Sequence, residues 1–531
     1  MTADMLRRIL KGSSRLIGQN QTLTKMLGAI TMAALVVFSG CSNPAITTPT
    51  TAATSTTSSM ATASKSEGTS TSTSTPSAVL TSTSSVVNQA NATTTTAAEK
   101  TASSATTPAS TAKPSTALGA SGYFGANGFN FYHAYVNDQT PGDPLETVTT
   151  YFASEASSIA KAGIGWNRTL GPSNGQFRRA IIEKSQGVYD WSLPDAFVKV
   201  VQEHGLYLDA MVDTWTFWDQ PGVLAAGRWG RKPSNMAAWK AFVQAMVERY
   251  DGDGQADMPG LRYGIKYWEI GNEPEIYYYG NVQEYLDTLK AAYEAVKAAD
   301  PDSKVLNGGA CPVYNVTTGQ LDSQIEGFWK QLFVLGGGDY MDILSIHHTC
   351  PNPAPPPLVD FLDRFTGYGK DIWVTEFGTY SGEPLAGGTK MPAQTEEYQA
   401  NYLVKNSVAG FAHGMKKLFW TVYRRQSSPN DPANTWTWAV SMIKADGTGK
   451  LVYFAQQVLS TKIDGFSSAQ ELGNGQYKFV VNGKPVYVLW GAGQIPAELS
   501  GQARVTDLRG NETRVMVSDL RLTDTPVFVE P

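Results

Sequence analysis

From Tyr123 onwards, short runs of β-branched and aromatic residues alternate with longer stretches whose apolar positions recur every three to four residues. The short runs predict buried strands, and the longer stretches predict helices that lay one apolar face against them. The strand candidates are Phe124 to Phe131, Gly165 to Leu170, Tyr207 to Val212, Tyr267 to Asn272, Val305 to Ala310, Ile343 to His347, Ile372 to Thr375 and Leu418 to Val422. Regular alternation of strand and helix specifies βα units and a parallel sheet, and eight candidates fit a closed (β/α)8 barrel, a TIM barrel of the α/β class, over residues 121–463. The clearest helix lies between the third and fourth strands. There Met236, Trp239, Val243, Met246, Val247 and Tyr250 share one face behind Pro233-Ser234-Asn235, a start signal.

The period changes after the helical stretch Val452 to Lys462. Gln476 to Val481, Val486 to Trp490, Ala503 to Leu508 and Thr513 to Val517 alternate as strands do, with turn signals at Asn482-Gly483 and Gly510-Asn511. Residues 464–531 are therefore expected to form a small all-β domain packed on the barrel.

Length agrees with more than one unit, since 531 residues exceed what one core organises. Residues 42–120 are almost entirely Ser, Thr and Ala with scattered Pro, a composition too poor in apolar side chains to fold, and they are read as a disordered linker. Ahead of them Arg7, Arg8, Lys11, Arg15 and Lys25 precede the apolar run Met26 to Phe38 and then Ser39-Gly40-Cys41. This has the form of a bacterial export signal over residues 1–41, with an apolar run short for a membrane span. The small residues before Cys41 resemble the site at which lipoproteins are cleaved and acylated, with Phe38 in place of the usual Leu. A lipid on Cys41 would tether the folded part to a membrane through a linker with a reach of roughly 50 Å; the plainer reading is a secretory signal or a short membrane anchor. The net charge of −5, with Lys and Arg dispersed, leaves no footprint for nucleic acid, and no protein partner is implied.

In an oxidising compartment the other two cysteines, Cys311 and Cys350, just past two consecutive strands, are candidates for a disulfide; the alternative is a pair of buried thiols. Asp251, Asp253 and Asp257 surround glycines in Asp251-Gly-Asp-Gly-Gln-Ala-Asp257, as carboxylates do in calcium loops, although the helix-loop-helix pattern is incomplete. A structural Ca2+ competes there with a solvated acidic turn.

The chemistry is concentrated in two glutamates at strand ends, Glu273 in Tyr267-Trp-Glu-Ile-Gly-Asn-Glu-Pro274 and Glu376 in Asp371-Ile-Trp-Val-Thr-Glu-Phe-Gly378. Catalytic groups of a (β/α)8 barrel stand at the carboxyl ends of strands. Cleaving a glycosidic bond with retention needs one carboxyl group to protonate the leaving oxygen and another to attack the anomeric carbon. Taken singly, Asn272-Glu273-Pro274 could cap a helix and Glu376 could serve a structural ion pair. Together, at the fourth and seventh strands, they resemble the clan A glycoside hydrolases, and family 39 most, over about Tyr123 to Pro531. The resemblance implies a retaining β-glycoside hydrolase that needs no cofactor, with Glu273 as acid/base, Glu376 as nucleophile and Asn272 bound to the sugar 2-hydroxyl. By the same resemblance Arg168, in Trp166-Asn-Arg-Thr169, supports the nucleophile. His347, or its neighbour His348, stands for the sixth-strand histidine, with Thr349 where the family carries an aromatic residue, and Trp420 is the platform for the sugar. Aromatic residues in the predicted rim, Trp215, Phe217, Trp218, Tyr277 to Tyr279, Trp436 and Trp438, suit a carbohydrate cleft. The alternative from another class is a surface lipoprotein that binds polysaccharide on the same fold without cleaving it.

Overall fold

The computed structural model describes residues 122–127, 145–169, 176–220, 230–277, 281–311, 323–349, 357–386, 389–424, 436–493 and 495–531. Cys41, the Ser/Thr-rich stretch and Cys350 lie outside them, and with them the lipid and disulfide expectations.

Eight strands close a parallel barrel in chain order: β1 (Phe124–Asn127), β2 (Trp166–Arg168), β3 (Tyr207–Val212), β4 (Tyr267–Ile270), β5 (Lys304–Asn307), β6 (Ile343–Thr349), β7 (Asp371–Gly378) and β8 (Lys417–Trp420), the last pairing back to β1. Each strand is followed by a helix, α1 (Leu145–Lys161), α2 (Ser192–Glu203), α3 (Met236–Tyr250), α4 (Val282–Ala299), α5 (Ser323–Val334), α6 (Leu358–Thr366), α7 (Glu396–Ala412) and α8 (Leu451–Ile463). Several helices start where the chain supplies a cap. Asn235 accepts from Ala238 N, Thr395 accepts from Tyr398 N, and Asn281 with Glu284 forms a reciprocal capping box. The face of α3 read from the sequence is the buried one, with Trp239, Val243, Met246, Val247 and Tyr250 inside.

Side chains two apart on a strand share a face, so the barrel interior is built in layers. At the amino-terminal end Trp166, Tyr207, Tyr267 and Trp373, with Leu306, Ile343 and Phe419, form an aromatic plug. Trp166 stands 5.1 Å from Tyr267, and Tyr267 4.7 Å from Trp373. Two residues further along the same strands the plug gives way to a polar layer of Arg168, Asp209, Glu269, Ser345 and Thr375, all with no exposure. Ser345 Oγ lies 3.3 Å from Glu269 Oε1 and 2.5 Å from Thr375 Oγ1.

β7 carries one residue more than either neighbour in this region. Ile346 pairs with Val374 but His347 pairs with Glu376, and on the other side Leu418 pairs with Val374 but Trp420 with Phe377. This β-bulge reverses the alternation after Thr375. Without it, a strand with Trp373 and Thr375 facing inward would turn Glu376 out toward the helices.

The carboxyl-terminal region forms a six-stranded antiparallel sheet of β9 (Ser468–Gly473), β10 (Gln476–Val481), β11 (Lys484–Leu489), β12 (Gln502–Thr506), β13 (Glu512–Met516) and β14 (Val527–Glu530), in the order β9-β10-β11-β14-β12-β13. The first and last were not expected. Ser468-Ala-Gln-Glu-Leu-Gly is polar and largely exposed, and β14 is four residues long, so neither presents an apolar alternation long enough to read. Asn482 and Gly483 both take positive φ, 50° and 74°, as a two-residue hairpin requires. Phe479, Val488 and Phe528 of this sheet belong to the same hydrophobic core as the barrel helices. The segment joining α8 to β9 also fastens the start of β1: Asp464 Oδ1 accepts Tyr123 N at 2.7 Å, and Phe466 stacks on the Tyr123 ring at 4.0 Å.

Candidate active site

The carboxyl ends of β2, β4, β5, β6 and β7 bring most of the singled-out residues together. Arg168, the last residue of β2, is the hub. Its Nε and Nη2 donate to the two Glu269 oxygens at 2.6 and 2.8 Å, Nη2 also donates to Asn272 Oδ1 at 2.8 Å, and Nη1 donates to Glu376 Oε1 at 2.8 Å. A planar guanidinium with several fixed donors suits such a role, where an ammonium would not. Because Asn272 accepts through Oδ1, its amide orientation is set and Nδ2 remains a donor.

Glu273 follows β4 in a backbone conformation with φ of 44°, uncommon for a side chain other than glycine. Its N–H donates to Gly308 O at 2.5 Å, tying the end of β4 to the end of β5. His347 of β6 places Nδ1 2.8 Å from Glu273 Oε1 and 3.9 Å from Glu376 Oε2, so the imidazole stands between the two carboxyl groups. One oxygen of each glutamate and one histidine nitrogen all lie within 4.8 Å of one another. The His347 ring fits because position 309 is glycine: at φ of 69° a Cβ there would stand 2.0 Å from His347 Nε2. The two histidines of β6 separate by strand alternation. His348 faces the other way, where its Nδ1 lies 3.0 Å from the Tyr402 hydroxyl of α7.

Two residues that the sequence did not place at the site, Cys311, read there as a disulfide candidate, and Glu275, complete the surroundings of Glu273. Cys311 hydrogen-bonds the Glu273 carboxyl through its thiol, and its backbone N–H donates to Glu275 Oε1 at 2.6 Å. Glu275 sits two residues past Glu273 in a helical turn, Pro274–Tyr277, with Oε2 buried beside the Trp329 indole. A further omission is the pair of acids beneath the site. Glu269, which holds Arg168, and Asp209 beside it were visible in the sequence as acids inside otherwise apolar strands.

The electrostatics distinguish the two glutamates. Burial pushes the Glu273 carboxyl well above the ordinary range, and the negative charges of Glu376 and Glu275 push it further. Burial also raises Glu376, but the Arg168 guanidinium opposes that rise. A proton shared by this closely placed pair therefore resides on Glu273. His347 is held well below its usual value, by burial first and Arg168 second, which keeps the ring neutral. Burial raises Glu275 to about 8.

Trp420, ending β8, is buried; its Nε1 donates to Val440 O at 2.9 Å and its ring meets the edge of Phe377. Of the aromatic residues after β3, Trp215 is buried and Phe217 and Trp218 are half-buried. The Arg178 guanidinium lies over Trp215 at 4.5 Å and that of Arg179 over Trp218 at 5.0 Å. Tyr278 and Tyr279 lie outside the described residues. Asp251, Asp253 and Asp257 do come together, each offering an oxygen within 4.8 Å of the others. Both Asp257 oxygens already accept backbone N–H groups, from Gly252 at 3.0 Å and Gly254 at 2.8 Å.

No family model and no curated protein matches the chain. Solved structures do. A family 39 glycoside hydrolase from the gut symbiont Bacteroides cellulosilyticus WH2 superposes with a TM-score of 0.53 at 18% identity, over 77% of this chain and 80% of that one. A monomeric β-xylosidase from Caulobacter crescentus CB15 gives 0.52 at 13% identity, over 78% and 97%. A family 39 β-xylosidase from Caulobacter crescentus gives 0.51 at 13%, over 79% and 98%. At these identities the likeness is one of fold.

Proposed function

We propose that this protein is a retaining β-glycoside hydrolase that works by double displacement on an extracellular or cell-envelope polysaccharide or oligosaccharide. The observation that carries the reading is the closeness of Glu273 and Glu376, with one oxygen of each within 4.8 Å of the other and of a His347 nitrogen. Retaining enzymes hold their carboxyl groups about 5–5.5 Å apart, whereas inverting enzymes need about 6.5–9.5 Å to admit a water between base and sugar. The fold shared with glycoside hydrolases supports the same reading.

In the first half of the cycle Glu376 attacks the anomeric carbon. Its Oε1 is held by Arg168, so Oε2 is the oxygen free to form the glycosyl ester. Glu273, carrying the proton, gives it to the departing oxygen as the glycosidic bond breaks. In the second half Glu273, now a carboxylate, takes a proton from water; the water oxygen attacks the anomeric carbon and Glu376 leaves as a carboxylate. The Asn272 Nδ2 donor is placed for a sugar hydroxyl, a contact that strengthens in the transition state. Trp420 is assigned to the sugar platform by resemblance alone. Location belongs to the same proposal: acylation of Cys41 would hold the enzyme at a membrane, and Cys41→Ser would then release it into the soluble fraction.

The test is hydrolysis of a panel of aryl β-glycosides and β-linked polysaccharides, with the anomeric form of the first product read by NMR. Release of the β-anomer by the parent protein, and its abolition in a folded Glu376→Gln variant, is the expected result. An α-anomer as first product removes the double displacement. Retention of a polysaccharide by both proteins without cleavage transfers the reading to a binding lipoprotein.

A further inference from the structure

We propose that Glu273, His347 and Glu376 also form a binding site for a divalent transition ion of the zinc class, which closes the site by occupying it. Binding follows from the side chains alone; only its inhibitory consequence rests on the glycosidase reading.

The donor set is the first argument. One imidazole nitrogen and two carboxylate oxygens within 4.8 Å of one another make a mixed N/O site on three separate segments of a rigid barrel. Zn2+ binds such donors at about 2.0–2.2 Å, so two ligands of a tetrahedral ion stand about 3.4 Å apart. The separations from His347 Nδ1, 2.8 Å to Glu273 Oε1 and 3.9 Å to Glu376 Oε2, bracket that value. Small side-chain adjustments bring all three donors onto one ion. Imidazole favours zinc, copper or nickel over calcium or magnesium, which prefer oxygen alone.

Charge is the second argument. Arg168 is 2.8 Å from Glu376, yet its charge is already matched by the bidentate pair with Glu269. The two facing carboxylates, Glu376 and Glu273, therefore share less than one full compensating cation, since Arg168 donates to Glu376 while also holding Glu269. A proton relieves one of them, and a dication relieves both. The third argument is access. The Glu376 side chain keeps 16% of its surface exposed, so the cluster opens to solvent and a water can fill the remaining position on the ion. Arg168, which holds Glu376, supplies the outer-shell support that metal-ligating carboxylates require.

The experiment uses the full chain after chelator treatment. Zn2+ is titrated in competition with a chromophoric chelator, Co2+ is followed by its visible absorption, and circular dichroism with thermal melting establishes that each variant is folded. The expected result is one ion per chain, with affinity at least about tenfold weaker in both His347→Ala and Glu376→Gln and unchanged in Asp257→Asn. The isosteric Glu376→Gln carries the test if His347→Ala fails to fold. Absence of a stoichiometric ion, or an affinity indifferent to both site variants, overturns the proposal. Loss of the ion in Asp257→Asn would place it in the acidic turn and also overturn it. In the parent, hydrolysis should fall with the same Zn2+ dependence as binding. If the ion binds as expected but no glycoside is cleaved, the metal site stands and the glycosidase reading falls.

Discussion

Gly309→Ala tests whether the geometry around Glu273 is held from behind. Two costs follow from the structure. The backbone at 309 has φ of 69°, where a side chain is disfavoured by about 1–2 kcal/mol. The new Cβ would also stand 2.0 Å from His347 Nε2 and 2.5 Å from Cδ2 and Cε1, against an ordinary contact beginning at 3.4 Å. The ring must move away from residue 309, and overpacking of this kind costs about 1–3 kcal/mol. The His347 bond to Glu273 at 2.8 Å is lost in the process. Misplacing the proton donor by about 1 Å costs on the order of a hundredfold in kcat/KM. The assay is a double-mutant cycle with His347→Ala, reading urea unfolding by tryptophan fluorescence alongside hydrolysis of an aryl β-glycoside. With the ring removed, Gly309→Ala should cost only its backbone term, which gives a coupling of about 1–3 kcal/mol between the two positions. Simple additivity, or a Gly309→Ala enzyme with unaltered kcat/KM, would refute the claim that His347 is wedged against Glu273 by position 309.

Three further outcomes are expected. Glu275→Gln keeps an acceptor for Cys311 N–H but removes the charge that Glu275 acquires above about pH 8 and that helps hold the proton on Glu273, so kcat/KM should fall earlier on the alkaline side with no change below about pH 7; no movement, or a rise, contradicts the assignment. Lys417 is buried against Trp166, and its ammonium is depressed from 10.5 to about 7, so the folded state gives up its proton before the unfolded state does. Parent stability should therefore rise with pH between about 7 and 10.5, and Lys417→Met should stabilise most below pH 7, by at most about 5 kcal/mol at about 1.4 kcal/mol per pH unit, with the advantage gone above 10.5; a variant less stable at pH 6 refutes this. If the acidic turn holds Ca2+, millimolar CaCl2 should raise the Tm relative to EDTA and Asp257→Asn should abolish the difference; equal melting removes the ion.

The barrel was legible because its alternation is long and regular, and every strand candidate overlaps an observed strand. The two glutamates were legible as acids at strand ends. The β7 bulge was not. Read with period two, Trp373, Thr375 and Phe377 share a face and Glu376 faces the opposite way; only pairing with both neighbouring strands shows the extra residue that turns it inward. Alternation did separate His347 from His348 once the inner face was known, but a bare sequence does not say which face is inner. Glu275 and Cys311 were hidden for another reason. Their roles come from contacts between the loops after β4 and β5, whose geometry is set by φ values at Glu273 and Gly309 that no hydrophobic pattern encodes.

The layered interior explains how two like carboxyl groups can be assigned opposite duties in one cavity. A buried charged layer is poor in net stability, because desolvation offsets most of the attraction between Arg168 and its partners. Its value lies in direction. Glu269 takes two guanidinium donors, which fixes the plane of Arg168; the remaining contacts then reach Asn272 on one side and Glu376 on the other. Glu376 thus has a cation against it while Glu273 has a neutral histidine and a neighbouring acid. The aromatic plug below keeps water from entering at the amino-terminal end and lets the polar layer persist in low dielectric, where the difference between those two environments is greatest. Apolar replacement of Glu269 would leave Arg168 without its bidentate partner and free to turn toward Glu376, so the arrangement depends on an acid that has no exposed surface of its own.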